Sequence, residues 1–308
     1  MTFAVYLILC LSSAVLVVAS AVRAVIYARA PMHLRWELYP VPHEAPGRAA
    51  HGGSYFEQSA WWAHRSPARH GATIKATATE LLFLPALREF NRPLWRRSFP
   101  FHFGLYLLIV TAALVVAAAS LTILAPAAAA GLPGLALRAL ASVTGIAGLV
   151  LAPIGALALL HRRLTDSELR PSTVPADLFN LAAFAGALIL LGACFALGAP
   201  GPVAIAVGLF RWDTAVSVPP LLAAGLAATA LLAAYVPFTH MSHFIGKYFT
   251  YHAVRWDDAV NRRGSAIERR MAVYLTYRPT WAAPHVAADG VRTWADVAAT
   301  HPPENTSR

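Results

Sequence analysis

Four histidines carry the chemistry available to the apolar part of this chain: His102, His161, His240 and His243. The other eight of the twelve fall in segments that read as loop or tail. An imidazole inside lipid is costly unless something pairs with it. Neutral imidazole is also a good iron ligand. A b-type haem in a helix bundle takes two imidazoles from facing helices, one on each side of the ring. His102 and His243 can supply such a metal-binding pair. His240 lies three residues before His243, so a continuous helix puts both on one face. It can replace His243 as ligand, or hydrogen-bond a haem propionate or a quinone. His161 sits beside Arg162 and Arg163 and reads first as an interfacial residue. Arg96, Arg97, Arg163 and Lys247 lie at the level where haem propionates would need cations.

These residues must be positioned by helices that cross a membrane. The chain has 308 residues, is 57% hydrophobic and 13% charged, and has a mean hydropathy of +0.53. That composition belongs to an integral membrane protein. Five runs suit a hydrocarbon core of roughly 30 Å. They lie near 3–27, 101–124, 135–161, 177–198 and 217–244. The first has no basic leader and no clear cleavage site, and reads as a retained helix. The expected fold is therefore an all-α integral membrane bundle of five transmembrane helices.

The net charge of +10 would suggest nucleic acid in a soluble chain. Its distribution excludes that partner here. Residues 28–100 hold ten Lys/Arg, 162–175 hold three and 245–308 hold nine. The opposite connections hold only Arg211, in 199–216, and none in 125–134. The positive-inside rule then places the N-terminus outside and the C-terminus in the cytoplasm. All four histidines fall at one depth, near the cytoplasmic face. The expected location is the cell inner (cytoplasmic) membrane, as a multi-pass protein in contact with lipid.

The chain divides into a first span (1–27), a cytoplasmic loop (28–100), spans two to five as a haem-binding bundle (101–252), and a cytoplasmic tail (253–308). The loop's 77–95 stretch suggests an interfacial helix, bent or interrupted at Pro85. The outer connections read as simple turns. The tail reads as one helix through VRWDDAVNRRGSAIERRM, then loose chain from about Pro279. Cys10 and Cys194 lie in apolar runs and read as buried structural thiols. There is no C-x-x-C-H and no cysteine cluster, so covalent haem and a chain-held iron–sulfur cluster are excluded.

A second haem, stacked outward, would need ligands near Ala112 and Gly225, ten residues past His102 and eighteen before His243. Neither can ligate, so one inner haem b is expected. A crowded pair using His161 and His240 as well is the variant.

The five-span order, His102 opening the second span and Pro237-Phe238 followed by His243 closing the fifth, resembles the respiratory nitrate reductase gamma-subunit family. The stretches RWELYPVPHE, GGSYFEQSAWW, EFNRPLWRRSFPFHFGLYLLI and HMSHFIGKYFTYHAVRWDD are closer to membrane cytochrome b subunits found with heterodisulfide reductase-like iron–sulfur proteins. The likeness extends to about Arg278. It implies a five-helix bundle exchanging electrons with quinone and with a cytoplasmic iron–sulfur partner. The family's inner haem pair falls on His102 and His243. A quinone pocket is expected among the second, third and fifth helices, with His240, His161 and Lys247 as contacts. Segments 32–97 and 253–278 would dock the partner. Two other classes stand beside this one. The first is a haem-free membrane anchor. The second is a transporter, against which no span carries a buried acid, a broken-helix pair or an inverted repeat.

Overall fold

The computed structural model describes residues 1–29, 70–247, 262–280 and 289–300. The expectations for 32–69, for 248–261 with His252, and for 281–288 and 301–308 lie outside these residues. The chain forms two compact units. One comprises Met1–Arg23 with Lys75–His243, and the other Ala24–Ile74 with Phe244–Arg308.

Every regular element among the described residues is a helix. In chain order they form α1 (Thr2–Arg29), α2 (His70–Phe83), α3 (Pro85–Phe90), α4 (Arg92–Leu124), α5 (Pro126–Ala130) and α6 (Leu132–Thr165). Then come α7 (Pro175–Ala196), α8 (Pro202–Arg211), α9 (Pro220–Tyr235), α10 (His243–Lys247), α11 (Ala266–Leu275) and α12 (Trp294–Ala299). Five segments are long and apolar enough to cross a membrane: α1, α4, α6, α7 and Pro220–Phe238. The chain is thus a multi-pass membrane protein. Its outer faces carry exposed Leu, Val and Ile, as lipid contact requires.

Several elements differ from expectation. The second span starts nine residues earlier, at Arg92. Asn91 caps it by accepting from the Leu94 amide at 3.1 Å. His102 therefore lies about 15 Å along the helix rather than at its opening. The fifth span is not one helix to 244. Its α-helix ends at Tyr235, and single 3₁₀ turns follow at Val236–Phe238 and His240–Ser242. Pro237 has no amide hydrogen to continue the ladder, which explains the break. The 199–216 connection is no simple turn, because it holds α8. In the tail, Gly264 takes φ 80 and Ser265 caps α11, so the described part is a turn followed by a helix. The stretch beyond Pro279 contains α12, capped by Thr293. Cys194 is buried, but Cys10 is exposed. The Pro85 break stands as read: Leu84 adopts φ 49 and Pro85 opens α3.

Two apolar clusters hold the first unit. At the histidine end, Phe101, Ala152, Ala156, Phe184, Leu188 and Leu232 join α4, α6, α7 and α9. At the other end, Val5, Tyr6, Cys194, Ile205, Val218 and Leu222 join α1, α7, α8 and α9. There the Tyr6 hydroxyl donates to the Asp213 carbonyl at 3.3 Å and Thr2 Oγ1 to the Val216 carbonyl at 3.1 Å. Lipid tails are as apolar as Leu, so helices associate through close packing and hydrogen bonds. Small residues supply both at the α4–α6 crossing. A Cβ on Gly104 would lie 2.8 Å from the Ala152 Cα, and one on Gly155 would lie 2.6 Å from the Phe101 Cα. Thr111 and Thr144 share a hydrogen bond of 2.8 Å across it.

Candidate functional site

His102 is carried by α4, two residues after Pro100. Proline removes an amide hydrogen and so leaves the Arg96 carbonyl without its helical donor. The ring of His102 turns back on its own helix. Nδ1 lies 2.8 Å from the Ser98 carbonyl and 3.1 Å from Ser98 Oγ. A carbonyl only accepts, so Nδ1 carries the proton and Nε2 carries the lone pair. His243 opens α10, and its Nδ1 lies 3.2 Å from the His240 carbonyl. The same logic puts its proton on Nδ1.

The two rings come together although 140 residues separate them in sequence. Their centroids are 6.0 Å apart, with planes at 69°. A metal sits about 2 Å from each imidazole nitrogen, so two trans imidazoles place their ring centres about 6 Å apart. The angle between such rings about the common axis is free. The ring separation and the carbonyl-held Nδ1 of each ring fit two imidazoles that would hold one metal between them. No group of three or more His, Cys, Asp or Glu suited to a metal ion occurs among the described residues. A haem needs only the pair.

His240 and His243 reach different partners, although their spacing places them on one face. Thr239 lies in extended backbone and accepts from the Met241 amide at 3.1 Å, so the 3₁₀ turn starts in a new direction. His240 Nε2 instead reaches Asp177 on α7, at 3.6 Å. Asp177 also faces Arg163 on α6, at 3.6 Å, and its side chain is only 14% exposed. This carboxylate is half-buried at the first turn of α7, and no acid is fully buried among the described residues of the spans.

The remaining expected residues are dispersed. His161 is exposed and lies two positions from Arg163, hence on another face of α6. Arg97 donates to the Pro93 carbonyl of its own helix at 3.3 Å. Arg96 is exposed. Lys247 ends α10 and belongs to the second unit. Where a second haem pair would sit, Ala112 is exposed and Gly225 is buried, a Cβ there falling 3.4 Å from the Leu191 Cα.

Sequence reasoning missed three residues. Arg23, inside α1, donates to the Oγ of Ser242, which is 2% exposed and itself donates to the Thr239 carbonyl at 2.7 Å. Arg23 thus holds the turn from which His240 and His243 project. Hydrogen bonds to charged groups contribute about 1.5–3 kcal/mol. Arg23→Met, which keeps the stem, should lower the midpoint of thermal unfolding by several degrees, and an unchanged midpoint would remove Arg23 from this role. Asp177 is the second. Asn180 is the third: it is 1% exposed, and neither amide atom has a hydrogen-bond partner among the described residues. Burying an amide unpaired costs roughly 1–3 kcal/mol. The available signal was the same for all three, a charged or amide residue within or beside an apolar run.

No family model, curated protein or solved structure matches the chain.

Proposed function

We propose that this chain is the haem b subunit of a respiratory membrane complex, passing electrons between the quinone pool and a cytoplasmic iron–sulfur partner of the heterodisulfide reductase-like class. The observation that carries the proposal is the approach of His102 to His243, with each Nδ1 against a backbone carbonyl. His102 and His243 would hold the group, one from each side. When bound, the haem supplies one-electron redox chemistry. The chain's own residues do the rest. The Ser98 and His240 carbonyls hold the Nδ1 protons and so fix each ring's tautomer and orientation. Phe101, packed edge-on to His102 at 5.3 Å and to Phe184 at 5.5 Å, keeps water from one side of the pair. The Lys/Arg excess at the histidine end supports an outside N-terminus and a cytoplasmic C-terminus in the inner membrane. Segments 32–97 and 253–278 are each proposed to dock the partner. The sequence resemblance, rather than the site, supports the choice of quinone and partner.

The test is the haem b-to-protein ratio of the purified chain, from pyridine haemochromogen absorbance. The expected ratio is near one. A ratio near two would recruit His161 and His240 as ligands. A ratio near zero, in folded protein supplied with haem, would leave a haem-free anchor.

A further inference from the structure

Asn180 is a buried amide with no hydrogen-bond partner among the described residues, and such a group in a native structure asks for a reason. Its surroundings supply one. On α7, Asp177 lies three residues before it and Phe184 four residues after it, so the three share a face. Phe184 packs into the apolar cluster with Phe101. Asp177 meets Arg163 and His240, and the His240 side chain is 57% exposed. One helix face thus runs from a water-accessible charged cluster, through an unpaired amide, to an aromatic apolar wall.

We infer that Asn180, with Asp177 and His240, forms the binding site for the head group of a lipid-soluble quinone, at the histidine ends of α6, α7 and the fifth span. The inference rests on the proposed quinone linkage and gives it a place. A quinone ring presents a carbonyl when oxidised and a hydroxyl when reduced. An amide suits both states, because Nδ2 donates to the carbonyl and Oδ1 accepts from the hydroxyl. An ionised carboxylate only accepts, so alone it suits the hydroxyl state and not the carbonyl. Asp177 and His240 then stand between the amide and water, where a proton can be taken up or released. The site lies against α7, whereas the sequence pointed to the second, third and fifth helices.

Entry needs a cover that moves at low cost. Tyr235, Val236 and Met241, all partly buried, pack on the apolar cluster. They belong to the interrupted part of the fifth span, where the backbone is held by single turns such as Thr239 N–H to the Val236 carbonyl and Ser242 N–H to the Thr239 carbonyl, both 3.2 Å. Displacing such a segment breaks few hydrogen bonds, which is the property expected beside a ligand site.

The test uses the full chain, haem-supplied and in nanodiscs, with decylubiquinone and menadione as probes. Binding is read by titration, and haem content and thermal midpoint are read on the same samples. Asn180→Leu keeps the volume and removes the amide. It should weaken binding of the preferred quinone at least tenfold, leave haem content unchanged and leave the midpoint equal or higher. His240→Phe, at an exposed position, should weaken binding severalfold without unfolding the chain. Wild-type affinity in both variants would overturn the assignment. So would loss of haem in Asn180→Leu with quinone binding intact, which would give the amide to the prosthetic group. Failure of the wild-type chain to bind either quinone, with haem present, would overturn the site and leave the haem reading standing. Quinone binding that depends on Asn180 in a haem-free chain would keep the site and remove the haem.

Discussion

His102→Ala and His243→Ala should each reduce the haem b content of the purified chain from near one per chain to near zero, while His240→Ala and His161→Ala leave it unchanged. The asymmetry follows from the geometry. The rings of His102 and His243 approach to 6.0 Å. His240 is turned to Asp177, and His161 is exposed on another face of α6. Either substitution would leave the group with one of the two imidazoles that would hold it. Absorbance after haemochromogen formation reads the result directly. Full haem in both His102→Ala and His243→Ala would sink the ligand assignment. Loss in His240→Ala alone would mean that the break at Pro237 rearranges when the group binds.

Gly155→Leu should be the most damaging single change away from the histidines. At that position the α6 backbone meets the α4 backbone, and a Cβ would fall 2.6 Å from the Phe101 Cα and 2.7 Å from its Cβ. No flexible side chain stands there to yield, so the helices must separate. Overpacking a core costs roughly 1–3 kcal/mol, and a backbone-to-backbone contact belongs at the upper end of that range or beyond it. Phe101 precedes His102, so the displacement also moves one ring of the pair. A lower thermal midpoint together with partial loss of haem is expected. Gly186→Ala is the matched control, because a Cβ there meets nothing within 4 Å. It should be neutral, or more stable by up to about 1 kcal/mol from helix propensity. Equal behaviour of the two variants would show that the crossing does not depend on the glycine.

The five spans were legible in the sequence because a bilayer demands about 20 apolar residues per helix, a length requirement that hydropathy records directly. The Pro85 interruption was legible for a local reason, since proline removes a backbone donor wherever it stands. Depth follows from counting residues along each span and put all four histidines at one level, but only the packing brought the rings of His102 and His243 together. Rotation about the helix axis is different. α7 and α9 are apolar on nearly every face, so their sequences do not say which side turns inward. The burial of Asn180 and the exposure of Cys10 therefore came from packing, as did the meeting of Asp177 with Arg163. Spacing also misled at His240. His240 and His243 lie three residues apart in one helical stretch that follows the breaks at Pro237 and Thr239, yet their side chains reach different elements. The turn after that break, held by Arg23 through Ser242, sends one imidazole to α4 and the other to α7. Depth in the membrane is set by the number of residues along the chain, whereas direction around each helix is set by contacts between helices that no single segment encodes.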